Sequence, residues 1–550
     1  MPEASTANML VFRDGRERVS AKRLVLQLEQ ALATLEACCT EDAVLSALLR
    51  AGELECALCD TGSADAAALA ALSDELAAGA CRADPGSGFS IRTCRQLLAS
   101  VHFEGELTVS RHEGFAYYAL HPLDFADLVS SANLRAPAAY VIGIRSIGTT
   151  LSAVVTAKLN STGIPVSRTT VRPGGHPYDR QSAFTSSQRE AIMQVDSRGA
   201  IFLVCDEGPG RSGSSLLSVA EALENEGVSR DRILLLCSHQ PDVATLCAPR
   251  AAERWQRYRS VASGMTKRLP QEADDYIGGG DWRRFFIPAE EPWPAAWPQM
   301  ERLKFVSRDR HSLFKFEGHG HYGEPVRDRE LLLTASGFGA RYLGQEAGFG
   351  LHEFIGGKQV GVENPSLALL RHLANYCAWR AATLPATVSQ DNIGQLEHMA
   401  AFNPEQEFGF APTVHLEVQR PVVCDGRMQP CKWREVNGGW IKLDASTHGD
   451  DHFFPGPTDI AWDLAGVCVE WQLGADERDF FLAEYRRISG DNPAPRLQEF
   501  VVAYAAFRLG WSRMAAASVT GTADENRLLR GAALYRAALN QRLPANSIAC

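Results

Sequence analysis

Residues 201–216 read IFLVCDEGPGRSGSSL, and the fold of the first half of the chain turns on them. Ile201, Phe202, Leu203, Val204 and Cys205 form a short apolar run without alternation. Such a run suits a strand covered on both faces, as in a parallel sheet. Asp206 and Glu207 stand at its carboxyl end, where open α/β sheets bind ligands. Gly208, Gly210 and Gly213 allow a tight turn and a close approach to an anion, and Ser212, Ser214 and Ser215 offer hydroxyls. Leu216, Leu217, Ala220 and Leu223 keep helical spacing up to Gly227. The amino end of that helix points at the loop, and its unbonded N–H groups favour a phosphate.

The pattern recurs on the stretches around it. Ala139–Ile144 (AYVIGI) is a second buried strand, followed by Arg145, Ser146, Ile147, Gly148, Thr149 and Thr150, with a helix expected from near Leu151. A guanidinium and a run of backbone N–H groups make an anion-binding set. Between the two, Val166–Arg180 (VSRTTVRPGGHPYDR) gives a strand with Arg168 and Arg172, then an exposed Pro/Gly loop with His176, Tyr178 and Arg180. The plainer reading is a surface hairpin with solvated arginines. Arg232–Ser238 (RILLLCS) is the next buried strand. The order β-α-β-β-α-β predicts a parallel-rich sheet flanked by helices.

Upstream, Leu107 and Val109 predict a short strand and Phe115–Leu120 a second, aromatic one. Glu113, Tyr117, Tyr118 and His121 are read as core or as the lining of a site for a ring. Residues 1–104 look helical: Leu24, Leu28, Leu32 and Leu35 form an apolar stripe, and 66–80 is rich in Ala and Leu. DPGSGFS at 84–90 reads as a loop. No chemistry is legible in this region, which suits a cap, a hood or the surface of a homo-oligomer.

The strand, acid pair and Gly/Ser loop resemble the phosphoribosyl-pyrophosphate (PRPP) motif of the type I phosphoribosyltransferases. By that resemblance Asp206 and Glu207 hold the ribose hydroxyls and act in catalysis. Gly208, Gly210, Arg211, Ser212, Gly213 and Ser214 cradle the 5′-phosphate. Arg145, Ser146, Gly148 and Thr149 hold the pyrophosphate, and Arg168, Arg172 and Arg180 belong to a flap that closes over substrate. The family's second acid is usually Asp, where this chain has Glu207, and its Thr-Thr-Gly is here Gly210, Arg211 and Ser212.

Bulk properties bound the rest. At 550 residues the chain is too long for one core. Its net charge of -11 argues against non-specific nucleic-acid binding. No apolar run is long enough to span a bilayer and the first residues lack a secretory pattern, so a cytoplasmic protein without a membrane partner is expected. The 14 cysteines are scattered, and the pair Cys56 and Cys59 is a weak zinc signal beside the reading of buried thiols. IGGGDW at 277–282 and the Pro/Trp-rich EEPWPAAWP mark a boundary.

The second half carries a different order. Leu313–Glu317 is a strand with a central Lys315, a helix near 324–335 carries Glu330, and 351–357 reads as a strand entering a hinge. Asn364-Pro365 is a helix start, and the helix runs to about Leu384. Two acids, Asp425 and Asp444, follow strands. Phosphoryl transfer needs one carboxylate to orient the acceptor hydroxyl and another to hold Mg²⁺.

This order resembles the aminoglycoside phosphotransferases and small-molecule kinases, most specifically at Asp459-Ile460-Ala461-Trp462-Asp463-Leu464-Ala465. By resemblance Lys315 reaches the ATP phosphates and pairs with Glu330, Asp425 is the catalytic base, Asp444 is the metal ligand and Asp463 is structural. The family's HGDxxxxN is here Cys424-Asp425-Gly426-Arg427-Met428-Gln429-Pro430, without its His or Asn. His448, Asp450, Asp451 and His452 stand near enough in sequence to supply the missing ligand.

The expected architecture is therefore an α/β phosphoribosyltransferase-like domain (a Rossmann-like parallel sheet, 105–260) plus an α+β bilobal kinase-like domain (301–550). A helical N-terminal region (1–104) precedes them and a linker (261–300) joins them. The resemblances imply PRPP- and ATP-dependent transfer to an unidentified small-molecule acceptor, with Mg²⁺ as cofactor. The alternatives are a sensor that binds both ligands without turnover, or a kinase with a non-catalytic partner domain.

Overall fold

A computed structural model describes residues 9–82, 90–102, 104–288, 290–361 and 365–542. The expected loop over 84–90, apart from Ser90, and the Asn364 helix start lie outside the described residues. The chain gathers into two compact units. One comprises Arg16–Leu269 with Gly318–Glu324, and the other comprises Met1–Gly15, Pro270–Glu317 and Pro325–Cys550.

The first unit is built on a five-stranded sheet in the spatial order Val166–Val171, Ala139–Ile144, Ile201–Cys205, Ile233–Cys237, Arg259–Ala262. Every pair in it is parallel. Alternation divides each central strand between two cores. Tyr140, Ile142, Ile144, Phe202 and Val204 enter one, with Leu216, Leu217, Ala220 and Leu223 of helix Ser214–Asn225. Val141, Leu203, Cys205, Leu234 and Leu236 enter the other, with Leu151, Val155 and Leu159 of helix Ile147–Ser161. Helices therefore cover both faces, which is why these strands read as unbroken apolar runs. Numbered along the chain, the strand order reverses between Ala139–Ile144 and Ile201–Cys205. That reversal is the switch point at which open α/β sheets take ligands.

Helices Ala21–Ala37, Glu41–Thr61, Ala66–Ala80 and Ile91–Ala99 belong to this same unit. Leu24, Leu28, Leu32 and Leu35 are buried in a core that also takes Ala153 and Val154. Helix Ile147–Ser161 thus has the sheet on one side and helices on the other, which accounts for its burial nearly all round. The strand expected over Phe115–Leu120 is not one: Glu113–Ala116 is a short helix and Ala119 has φ 54°. The neighbours Phe115 and Ala116 enter the same core, a sidedness that alternation along a strand forbids. Helix Ser186–Asp196, missed in the sequence, packs Ile192 and Val195 beneath the sheet.

The second unit opens with a five-stranded antiparallel sheet in the order Ala273–Tyr276, Lys304–Ser307, Ser312–Phe316, Phe349–Glu353, Tyr342–Glu346. Helix Glu324–Ser336 interrupts its strands in sequence. Helices Leu367–Thr383, Gln390–Phe408, Ala461–Glu470, Ala475–Ser489, Ala494–Ser518 and Ala523–Asn540 then share one large core. The first of these is capped by Ser366, whose hydroxyl accepts from Leu369 N at 3.2 Å. A small sheet of Lys358–Gln359, Trp433–Val436 and Gly439–Lys442 leads into Asp444. The boundary segment 261–300 is structured: it supplies strand Ala273–Tyr276 and the short helix Arg283–Phe286. Among the described residues no helix is long and apolar enough to cross a membrane.

Candidate functional site

Two clusters of ionisable side chains stand out, one in each unit. In the first unit, register pairs Gly143 with Cys205, so the loops after both strands leave the sheet side by side. The backbone N–H of Glu207 donates to Asp206 Oδ1 at 2.9 Å, and Glu207 Oε2 accepts from Gly114 N at 3.1 Å. Burial pushes the Asp206 carboxyl up to about 7, against the bond from the Glu207 amide and the charge of Arg172. Burial, with Glu113 and Asp206 adding repulsion, pushes Glu207 up to about 8.

Around the acids lie two helix amino ends. Helix Ser214–Asn225 follows Gly213, whose φ of 68° suits glycine. Helix Ile147–Ser161 begins four residues before the expected Leu151, so residues 147–150 form its first turn; the Thr149 amide donates to Ser146 O at 3.2 Å, and the amides of Ile147 and Gly148 have no i−4 carbonyl within the helix. Ser146 precedes it with φ 109° and ψ −121°. A Cβ on Gly148 would sit 2.5 Å from Cys205 O, so only glycine lets the two loops lie this close. Ser212 Oγ and Ser214 Oγ donate to Pro177 O at 3.1 and 2.8 Å. The tip of the hairpin Gly174–His176 and Asp179–Gln181 therefore rests on the loop.

The structure brings together Asp206, Glu207, the loop 208–214 and the turn at Ser146, Gly148 and Thr149. The guanidinium groups of Arg145, Arg168, Arg172 and Arg180 are taken by other partners, although Arg172 stays near enough for its charge to act on Asp206. Arg145 Nη1 lies 3.1 Å from Asp60, and Arg172 binds the same carboxylate. Arg168 lies between Glu55 and Asp74, 2.7 Å from each. Arg180 donates to Gly175 O at 2.9 Å within the hairpin. The acids that draw them, Glu55 and Asp60, stand in AGELECALCD on helix Glu41–Thr61. Charges on a helix packed as core require partners, and that was the available signal. Cys56 and Cys59 lie on this helix as free thiols, and burial pushes Cys56 up to about 11.

In the second unit a pocket is lined on its polar side by Lys304, Lys315, Lys432, Lys442, Glu330 and Asp444, and on its apolar side by Trp282, Phe286, Leu313 and Leu333. Register sets Lys304 directly opposite Lys315. Lys315 Nζ lies 2.7 Å from Asp444 Oδ1, with Lys432 Nζ at 2.8 Å and Lys304 Nζ at 3.5 Å from Oδ2. Burial works against the charge of Asp444, but Lys304, Lys315 and Lys432 outweigh it and hold the carboxyl well below the usual range. Lys315 also donates to Thr447 Oγ1 at 2.9 Å.

The expected Lys315–Glu330 partnership is redirected: Lys315 takes Asp444, and Glu330 accepts from the Ser446 hydroxyl. Burial raises the Glu330 carboxyl, aided by Glu317. His352 Nε2 lies 3.0 Å from Glu317 Oε1.

Asp425 is fully buried. It accepts from the Tyr376 hydroxyl, from Arg427 N at 3.0 Å, and from Lys442 Nζ at 3.2 Å. Burial lowers Lys442, with Asp425 opposing. Asp463 clamps the loop, accepting from Asp425 N at 2.8 Å and Gly426 N at 2.9 Å. Of the cluster after Asp444, Asp450 is held by Arg329 at 3.3 Å, while His448 stands between Asp444 and Asp451 at 3.9 and 3.7 Å.

Mg²⁺ takes oxygen ligands in octahedral geometry. Here both oxygens of Asp444 face ammonium groups, and the position of the family's Asn is Pro430, which has no side-chain oxygen. The residues around Asp444 do not fit the ion; Glu317, Glu330 and His352 bring ligand atoms within 4.8 Å of one another, but two carboxylates and an imidazole make a poor set for an ion that takes oxygen ligands, and His352 is bonded to Glu317 while Glu330 accepts from Ser446.

No family model and no curated protein matches the chain. Among solved structures it is similar to choline kinase LicA from Streptococcus pneumoniae, with 14% identity over 48% of this chain and 95% of that one and a TM-score of 0.33. An ethanolamine kinase from Plasmodium vivax matches at 10% identity over 44% of this chain and 81% of that one, TM-score 0.31. A choline kinase from Cryptosporidium parvum matches at 11% over 45% and 90%, TM-score 0.30. At these identities and TM-scores the likeness fixes neither substrate nor chemistry.

Proposed function

We propose that the second unit binds a nucleoside triphosphate in the lysine-lined pocket, as a small-molecule kinase does, and holds it without turnover. The carrying observation is the convergence of Lys304, Lys315 and Lys432 on one carboxylate beside an apolar wall with Trp282 and Phe286. Three ammonium groups against one carboxylate suit a polyphosphate, and the aromatic wall suits a base. The absence of turnover follows from Asp425, which is enclosed by Tyr376, Lys442 and the Arg427 amide and has no open face for an acceptor hydroxyl. Calorimetric titration with ATP, followed by an assay for phosphate release, tests this: binding without release is expected.

The second reading is ATP-dependent phosphoryl transfer to a small-molecule hydroxyl. The Asp463 clamp favours it, because it fixes the Asp425 loop in one conformation. Phosphate release that depends on an added acceptor and stops in Asp425→Asn would establish it.

For the first unit we propose a site for a phosphorylated sugar such as PRPP. Its place at the switch point, between two helix amino ends, supports this. Asp206 and Glu207 would take the sugar hydroxyls, and Mg²⁺ brought with the pyrophosphate would supply the cation they lack. Phosphoribosyl transfer would further require Arg145 or Arg172 to leave Asp60. Calorimetry with PRPP and Mg²⁺ tests the site, and loss of binding in Asp206→Asn with Glu207→Gln is expected.

A further inference from the structure

The lysine cluster carries a consequence for the ligand's ionic form. Lys304 and Lys315 are directly cross-strand neighbours, a placement that is unfavourable for like charges without an anion between them. Lys432 adds a third ammonium group to the same place. Their side chains are only 12%, 4% and 18% exposed, so water screens them little. Asp444 supplies one negative charge against these three positive ones, while Glu330, the pocket's other buried carboxyl, accepts from Ser446 and is pushed by burial toward its neutral form. Lys442 adds no surplus, because Asp425 balances it. The pocket is thus built around a local excess of positive charge, and Asp444 acts as its internal counter-ion.

We propose that the ammonium groups of Lys304, Lys315 and Lys432 take the place of magnesium here, so that the pocket binds its polyphosphate ligand free of metal. This rests on the nucleotide-binding reading above. Each ammonium is a point charge with three N–H donors and can bind phosphate oxygens directly. A magnesium-bound nucleotide arrives with much of its charge already neutralised, and it would bring a cation against three others. The free nucleotide presents the full complement of negative charge that the cluster lacks. Asp444, a metal ligand in the sequence-based expectation, becomes a competitor of the incoming phosphates.

Two titrations with ATP, one in EDTA and one in excess Mg²⁺, test this on the full-length protein. Binding in EDTA at least as tight as in Mg²⁺ is expected. Asp444→Asn should bind ATP several-fold more tightly in EDTA, and Lys432→Ala at least ten-fold more weakly. Binding in Mg²⁺ that disappears in EDTA would overturn the inference and leave nucleotide binding intact. Loss of Mg²⁺-dependent binding in Asp444→Asn would add that Asp444 holds the ion. Failure of ATP to bind in both buffers would overturn the nucleotide reading itself, and the inference with it. The wild-type comparison decides the matter even if a variant does not fold.

Discussion

Asp206 and Glu207 in the first unit and Asp444 in the second all stand just beyond a strand, and their surroundings are electrically opposite. The first pair is desolvated with its cations drawn away: Arg145 and Arg172 to Asp60, Arg168 to Glu55 and Asp74. Asp444 is crowded by lysines. Burial raises the carboxyls of the first site to about 7 and about 8. In the second, lysines outweigh the same burial and hold the carboxyl low. A strand-end acid is therefore no signature by itself. What it does is decided by which cations the rest of the unit leaves beside it.

The sharpest way to break this contrast is to ask which cations are structural. Arg168 is 4% exposed and Glu55 1%, so Arg168→Met leaves a buried carboxylate without its partner. A loss of about 3–5 kcal/mol is expected in urea unfolding of the first unit. Lys432→Ala removes one of three like charges gathered on Asp444 and leaves Lys304 and Lys315 to hold that carboxylate, so stability should change by less than about 1 kcal/mol. Equal losses in the two variants would erase the distinction.

Acidity should move the two sites in opposite directions. Asp206 and Glu207 have folded values above the unfolded ones of about 4. Between those limits the folded state binds more protons, so their contribution to stability falls as pH rises from about 4 to about 8. Asp206→Asn with Glu207→Gln should be more stable than the parent by roughly 1–3 kcal/mol at pH 8.5, after allowance for their partial exposure. The gain should vanish below pH 4, and a gain that is flat across pH would count against the assignment. Asp444 is the reverse case: its folded value is depressed, so its contribution is present above about pH 4 and is lost as pH falls below that. Asp444→Asn should therefore flatten the acid limb of the second unit's stability curve.

The smallest expected effect concerns Ser146, a non-glycine residue held at φ 109° beside the acid pair. Ser146→Gly should relieve strain and stabilise by about 1 kcal/mol, read as a raised Tm. If the turn is strained in order to place its N–H groups, the same change should weaken PRPP binding.

The parallel sheet was legible because strands covered on both faces must read as apolar runs, and the loops after them follow directly. Other features arise only from pairing in space. Nothing in KFVS or LFKF says that Lys304 meets Lys315, since register decides it. The roles of the arginines depended on acids in the N-terminal helices, where their spacing showed only amphipathic core. Trp282 and Phe286 lay in a Gly- and Pro-rich stretch that resembles a boundary, yet they line the pocket. Lys442 was the exception that could have been found: two residues before Asp444, it ends the strand Gly439–Lys442.

Asp60 gives the first unit a keystone. One carboxylate holds Arg145, at the start of the loop after a central strand, and Arg172, just past the end of the neighbouring edge strand. Two arches that lean on a single stone stand or fall together. Whatever draws Asp60 aside takes the shared ion pair from both guanidinium groups at once and leaves them on neutral acceptors alone, Arg145 on Cys59 O and Arg172 on Arg145 O, so the loop and the approach to the hairpin answer as a pair.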